Sequence, residues 1–294
     1  MKSRGYWLVL LAACLWGTNG TAQALAPHGA QPIIIGTLRI ALGGVTLLII
    51  AAWRGALGDG KRWLFWPTLL GAASMAAYQM FFFAGVARTG VAVGTIVGIG
   101  STPILAGPIG FIVRGERPSR LWALATVLGI IGCTLLITTG EKIHVNLLGI
   151  FLAVCAGGSY AIFTTVSKGL LDEHAPEAVM AVTFCLGACF VLPLLFTADL
   201  HWLAQPAGFL VTIHLGVITA GLAYTLFARG LRLVPIATAA SLTLGEPLTA
   251  GVLGVILLHE ALSILAMLGI LFIFTGLVIL ATEKLPLDVT PPQT

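Results

Sequence analysis

The chain has 294 residues, of which 58% are apolar and only 9% charged. A soluble domain carries about 25% charged residues, so a water-facing fold of this composition would expose large apolar areas and the bilayer is its natural solvent. Lys and Arg number 15 against 11 Asp and Glu, a net charge of +4. That excess is too small to point to nucleic acid.

A membrane-crossing helix needs about 20 mostly apolar residues. Ten such segments follow one another, at about 5–26, 32–53, 65–87, 91–113, 119–139, 146–168, 177–198, 206–228, 235–258 and 262–282. The breaks between them are short and carry Pro, Gly and charge, as in Pro27-His28-Gly29 and Arg114-Gly115-Glu116-Arg117-Pro118. Lys2 and Arg4, the apolar run and Ala22-Gln23-Ala24 together have the outline of a cleaved leader. They are read instead as the first segment, because that segment has a counterpart in the second half. Asn19-Gly20-Thr21 matches a glycosylation sequon but falls inside the same segment. Barrel strands are excluded by the length of the runs and their lack of alternation. Residues 283–294, with Pro291-Pro292, are expected to form a disordered cytoplasmic tail.

Lys and Arg in the loops set orientation. With the N-terminus in the cytoplasm, that side holds Lys2, Arg4, Arg54, Lys61, Arg62, Arg114, Arg117, Arg120, Lys168, Arg229, Arg232 and Lys284. The outside holds Arg88 and Lys142, and Arg39 is embedded. Both termini are therefore expected in the cytoplasm.

The two halves repeat. A shift of 144 residues brings Pro32 onto Pro176, Gly43 onto Gly187, Pro103 onto Pro247, Glu116 onto Glu260, Gly132 onto Gly276 and Trp16 onto Tyr160. Around the third and eighth segments the register slips, so that Gly71 matches Gly216 and Tyr78 matches Tyr224. Residues 5–139 and 146–282 form the two repeats. Five segments is an odd number, so the second repeat sits upside down relative to the first. The expected fold is an all-α membrane protein of ten transmembrane helices, two inverted five-helix repeats around a central cavity. Inverted repeats are a transporter architecture with the substrate near the midplane.

Several side chains could line such a cavity. The first segment carries Trp16, Asn19 and Gln23 on one face; the sixth carries Tyr160, Phe163, Thr164 and Ser167 on the related one. Polar groups there can bond an ammonium or carboxylate while rings pack on a side chain; the plainer alternative is that they join helices. Tyr78 and Gln79 lie on the third segment, where Phe81, Phe82 and Phe83 read as packing or lipid-facing. Small residues recur every fourth position in the fourth and ninth segments, which permits close helix approach. Pro103 and Pro247 each remove a helical hydrogen bond there, and these kinks are candidate gating points. Ser101, Thr102 and Glu246 flank them and could meet substrate. A bare charge at the middle of a membrane helix costs at least about 2.5 kcal/mol, so Glu246 should face a cavity, pair with a cation or be protonated. Arg39 could snorkel, pair or bind a carboxylate. Glu116 and Glu260 read as N-terminal caps of the fifth and tenth helices.

Leu15-Trp16-Gly17-Thr18-Asn19, Pro103 followed by Arg114-Gly115-Glu116-Arg117, and Gly245-Glu246-Pro247 followed by His259-Glu260 together resemble the EamA-type fold of the drug/metabolite transporter superfamily. Within it the chain looks most like the YddG-type bacterial amino-acid exporters. The resemblance implies export of small metabolites, such as aromatic and other neutral amino acids, across the bacterial inner membrane. It also implies a small-molecule substrate and a lipid environment, with no nucleic acid; a monomeric unit is compatible with the sequence.

Other classes fit less well. An intramembrane enzyme acting on lipid needs clustered His, Asp, Cys or paired carboxylates, and the six histidines do not cluster. A channel would show a polar stripe along several helices, and a sensor an appended soluble domain. The five cysteines lack metal-ligand spacing, and no ATP-binding motif is present. Neither metal nor cofactor is expected, and the mechanism is alternating access driven by gradients. A reporter fused after Thr294 is expected to be active only on the cytoplasmic side; activity outside would overturn the topology.

Overall fold

The computed structural model describes residues 2–58, 60–137, 146–258 and 263–282. The expected tail 283–294, Lys142 and the expected cap Glu260 lie outside the described residues. Among those described, every regular element is helical: α1 (Lys2–Ala24), α2 (Pro32–Trp53), α3 (Phe65–Arg114), α4 (Arg120–Ile137), α5 (Leu147–Glu173), α6 (Pro176–Val191), α7 (Pro206–Ile213), α8 (Ala223–Leu231), α9 (Ile236–Leu242), α10 (Gly245–Leu258) and α11 (Ile264–Thr282). Eight helical stretches among them are long and apolar enough to cross a membrane; Arg120–Leu135 is apolar but shorter.

The ends of these helices follow local chemistry. Pro32, Pro176 and Pro206 occupy first-turn positions, where the missing N–H has no partner to lose. Asn146 caps α5 by accepting from the Gly149 N–H at 2.9 Å. Gly115 ends α3 in the left-handed conformation, φ 68°, with its N–H returned to the last turn, a position that favours glycine.

The 50 residues of α3 are two passes of the chain. A rise of 1.5 Å per residue would separate Val86 and Gly94 by about 12 Å in a straight helix. Instead a methyl group added to Gly94 would stand 2.7 Å from the Val86 Cα, and one added to Gly98 would stand 3.2 Å from the Phe82 ring. The chain therefore doubles back between Val86 and Gly94, where the sequence places the break between its third and fourth segments. Two further departures concern continuity. The span 206–231 changes to a π-helical stretch, His214–Leu222, between α7 and α8. The ninth predicted helix is interrupted at Thr243–Leu244, between α9 and α10.

The halves hold each other by reciprocal contacts at glycine. A Cβ on Gly132 of α4 would lie 2.6 Å from the Gly269 carbonyl and 2.8 Å from the Ile273 nitrogen of α11. A Cβ on Gly276 of α11 would lie 2.7 Å from the Ala125 carbonyl and 3.5 Å from the Gly129 nitrogen of α4. Adding 144 to 125, 129 and 132 gives 269, 273 and 276. The same exchange recurs elsewhere. Gly230 of α8 faces the Gly5 carbonyl and Val9 nitrogen of α1, and Gly85 of α3 faces the Gly149 carbonyl and Ala153 nitrogen of α5. Contacts that swap in this way are the signature of a two-fold relation.

Side chains on the bundle's outside are apolar: Phe196 is 90% exposed and Ile112 79%, a pattern suited to lipid. The ion pairs gather at one end, at the C-termini of α2, α3, α5 and α8 and the N-termini of α6 and α9. Glu177 takes Arg229 through Nε at 2.9 Å and lies 3.9 Å from Arg54. Lys168 meets Glu116 at 2.9 Å, Arg114 meets Asp172 at 2.9 Å, and Lys168 also donates to the Val234 carbonyl. Glu116 does not cap the fifth predicted helix. Ser119 does so, its hydroxyl accepting from the Trp122 N–H at 2.9 Å. Glu116 lies before the start of α4, and its carboxylate crosses to the second half, accepting the Ile236 N–H of α9 at 2.6 Å. It thus meets the positive end of a different helix.

Gly132→Val is expected to destabilise the bundle by about 1–3 kcal/mol, because nothing at the α4–α11 crossing can give way without moving backbone. Melting of the detergent-solubilised protein, followed by loss of the monodisperse peak, measures this. An unchanged midpoint would mean that the crossing is not tight.

Candidate functional site

Between the halves lies a cavity with about 390 Å³ not filled by protein atoms, part of it open to solvent. Trp16 and Asn19 of α1, Arg39 of α2, Tyr78, Ile99 and Thr102 of α3, Tyr160 of α5, Tyr224 of α8, Thr243 at the end of α9 and Glu246 of α10 line it. Both repeats contribute.

The aromatic wall is one packed group. The Trp16 ring lies 4.8 Å from Tyr224 and 6.3 Å, edge-on, from Tyr160. Tyr78 lies 5.2 Å from Tyr160, and Phe184 braces Tyr224 from behind at 4.5 Å. Tilted and edge-to-face rings at these distances attract beyond simple burial, so the wall is held in shape.

The π-helical stretch supplies an anchor. Thr219 lies within it, and its carbonyl accepts the Trp16 indole N–H at 2.8 Å. Its hydroxyl accepts the Arg39 Nε–H at 3.2 Å and donates to the Leu215 carbonyl at 2.8 Å. A π-helical turn relaxes the usual backbone pairing and is found often at functional sites. One residue of the second repeat thereby orients two cavity residues of the first.

The prolines act on the cavity through their fourth neighbours. Pro103 offers no N–H to the Ile99 carbonyl, and Pro247 none to the Thr243 carbonyl. Ile99 and Thr243, related by the 144 shift, both line the cavity. Thr243 recovers a partner in the Glu246 N–H at 2.9 Å; this turn separates α9 from α10. Glu246 consequently occupies the first turn of α10, not the middle of an unbroken helix. There the helix dipole favours a carboxylate. Asn19 hydrogen-bonds this carboxylate, and Arg39 stands within Coulombic range of it without a contact ion pair.

The sequence candidates divide. Trp16, Asn19, Tyr78, Thr102, Tyr160 and Glu246 come together in the cavity wall. Ser101 packs instead against Gly157, its hydroxyl donating to the Gly98 carbonyl at 3.2 Å. Thr164 is fully buried, bonded to the Tyr160 carbonyl at 2.9 Å, and Phe163 is buried behind the wall, 5.8 Å from Tyr160. Gln79 is buried outside the lining. Pro103 is buried inside α3, whereas Pro247 is buried in the first turn of α10. Arg39, for which pairing with an acidic partner was one reading, bonds Thr219 and lines the cavity.

Tyr224, Ile99, Thr243 and Thr219 are residues that the candidate set lacked. Tyr224 was visible as the slipped match of Tyr78, and Ile99 and Thr243 as the fourth residue before each proline. Thr219 had no sequence signal, because hydropathy does not distinguish a π-helical stretch from an α-helix.

Known proteins give the comparison. The EamA-like transporter family matches twice, over residues 3–138 and 147–282. The chain is 41% identical over 283 residues to the uncharacterized transporter YwfM of Bacillus subtilis, covering 96% of this chain and 95% of that one. It is 29% identical over 273 residues to the threonine/homoserine exporter RhtA of Escherichia coli K12, covering 90% and 86%. A solved crystal structure at 18% identity superposes with a TM-score of 0.83 over 95% of this chain and 96% of that chain, a likeness of fold.

Proposed function

The chain belongs to the EamA-like transporter family, and from that membership we propose that it is a secondary transporter exporting small metabolites, aromatic and other neutral amino acids among them, across the bacterial inner membrane by alternating access. Its relatives are transporters, not enzymes. The observation that carries the reading is the cavity itself: polar and aromatic, holding two charged side chains, and built at the seam from both repeats. The likeness to an exporter named for threonine and homoserine supports amino acids as cargo. The narrower YddG-type likeness rests on the sequence pattern.

In this reading all ten segments cross the membrane, in repeats spanning 5–139 and 146–282, and both termini lie in the cytoplasm. Reciprocal glycine contacts support a two-fold relation, and five crossings per repeat put its axis in the membrane plane, which inverts the halves. The ion-pair end of the bundle then faces the cytoplasm. There Glu116 of the first repeat holds Lys168 and the Ile236 N–H of the second, while Glu177 holds Arg229 and lies near Arg54. These contacts tie the inner ends of the two repeats together. Opening the cavity inward requires them to part, and the kinks at Pro103 and Pro247 give the cavity walls a place to bend.

Proteoliposomes containing the purified protein are expected to exchange radiolabelled neutral amino acids against an internal unlabelled pool, at rates well above protein-free vesicles. A panel with no counterflow for any amino acid would refute amino-acid transport. For the inner closure, Glu116→Gln in a background with the five native cysteines replaced is expected to raise, several-fold, cytoplasmic-side labelling of Thr102→Cys by an impermeant maleimide. Equal labelling with and without Glu116→Gln would show that this cluster does not close the inner route.

A further inference from the structure

We propose that Arg39 and Glu246 are the two poles of a site for a zwitterion, Arg39 taking the carboxylate and Glu246 the ammonium of one free α-amino acid. This rests on the carrier reading above and specifies which chemical groups the cargo must carry.

Symmetry supplies the first argument. Most of the cavity wall comes in related pairs: Trp16 with Tyr160, Tyr78 with Tyr224, Ile99 with Thr243. The charged residues break the pattern. The 144 shift places neutral Thr183 opposite Arg39 and neutral Thr102 opposite Glu246. A threonine therefore satisfies the packing at each equivalent position, and the charges serve something that packing does not require. Two opposite charges placed on opposite sides of the seam suit a ligand that is itself dipolar.

The geometry supplies the second. Arg39 and Glu246 line one cavity and feel each other's field, yet form no contact pair. A charge set in a membrane protein is costly unless it is met by a partner or by water. Direct contact would satisfy both and leave no site. Here each is held from behind instead. Thr219 fixes Arg39 through Nε and the Tyr224 hydroxyl accepts from it as well, so the guanidinium is held on two sides and still has N–H donors over for a carboxylate. Asn19 bonds Glu246 and keeps its Oδ1 without a hydrogen-bond partner; that oxygen is a second acceptor for an ammonium. A dicarboxylate would set one carboxylate against Glu246, and a diamine one ammonium against Arg39, so this pair of poles disfavours both.

Removing one ligand charge at a time tests this in the purified full-length protein. The probes are L-threonine and L-phenylalanine, their carboxamides, which lack the carboxylate, and their deaminated acids, which lack the ammonium. Competition against counterflow of the amino acid gives relative affinities. The wild type is expected to prefer each amino acid over both analogues by about tenfold or more, the range of one charge-assisted hydrogen bond. In Arg39→Gln the preference over the carboxamide should fall to within about twofold while the preference over the deaminated acid persists. Glu246→Gln should do the converse. Arg39→Lys, which keeps the charge, should retain part of the carboxylate preference and decides the matter if Arg39→Gln does not fold. An unchanged carboxamide preference in the Arg39 variants would overturn the assignment, as would equal loss of both preferences in either variant. Each of those results leaves amino-acid transport standing. Absence of any amino-acid counterflow in the wild type would instead remove the amino-acid reading of the cargo and this assignment together.

Discussion

Between helices surrounded by lipid, apolar side chains gain little by meeting each other, since hydrocarbon tails serve as well. Association then depends on how closely backbones approach and on the polar contacts that approach permits. In this bundle the approach is made at glycine. Gly132 and Gly276 let α4 and α11 meet carbonyl to Cα in both directions, and Gly85 and Gly230 do the same for the α3–α5 and α8–α1 crossings. A side chain at any of these four positions would meet backbone. Each crossing joins one repeat to the other, so these contacts also fix where the seam lies, and with it the cavity.

The prolines are the complement of the glycines. Glycine closes the distance between helices; proline opens a gap in the hydrogen bonding within one. Because the repeats are related, the two gaps arrive on the same cavity, at Ile99 and Thr243. On the second side the gap has widened into a break, so that Glu246 begins a new helix and sits at its positive end. A carboxylate that would be unsupported in the middle of a continuous helix is thereby accommodated. The π-helical stretch does comparable work for Arg39, by presenting Thr219 as its partner. Irregular backbone at membrane depth is tolerated where protein or a wet cavity covers it, and here it holds both embedded charges in place.

The ends of the bundle obey different rules from its middle. At the ion-pair end, Arg114 and Glu116 of the first repeat pair with Asp172 and Lys168 of the second, and Glu177 pairs with Arg229 within the second. Most of these side chains are buried or half-buried, Lys168 and Glu116 being only 11% and 13% exposed, so the pairs can part only where water enters to replace each partner. The glycine crossings, with no slack, suit surfaces that hold or pivot. The division of labour between tight apolar seams and breakable polar ends follows from where water reaches.

The sequence by itself determined the solvent, the all-helical class and the repeat. Segment length and the scarcity of charge are properties of composition, and a helix in lipid must satisfy its own backbone, so little else could form. The 144-residue shift exposed the pairs at Gly132 and Gly276, Pro103 and Pro247, and Trp16 and Tyr160, because internal symmetry is written linearly. Within the site, Trp16, Asn19, Tyr78, Thr102, Tyr160 and Glu246 were legible for the same reason, lying on related faces or beside the kinks. Ser101, Phe163, Thr164 and Gln79 shared those neighbourhoods yet pack elsewhere, because a helix face is wider than a cavity and rotation about the axis is set by neighbours. Only the tertiary structure decided that Glu116 crosses to cap α9, that Arg39 meets Thr219 and not an acidic residue, and that Glu246 stands at a helix start. Each of these depends on backbone geometry and on partners from 120 to 180 residues away, or on a break that hydropathy does not register. Periodicity records which way a residue faces along its own helix, and it carries no record of what the other repeat brings to meet it.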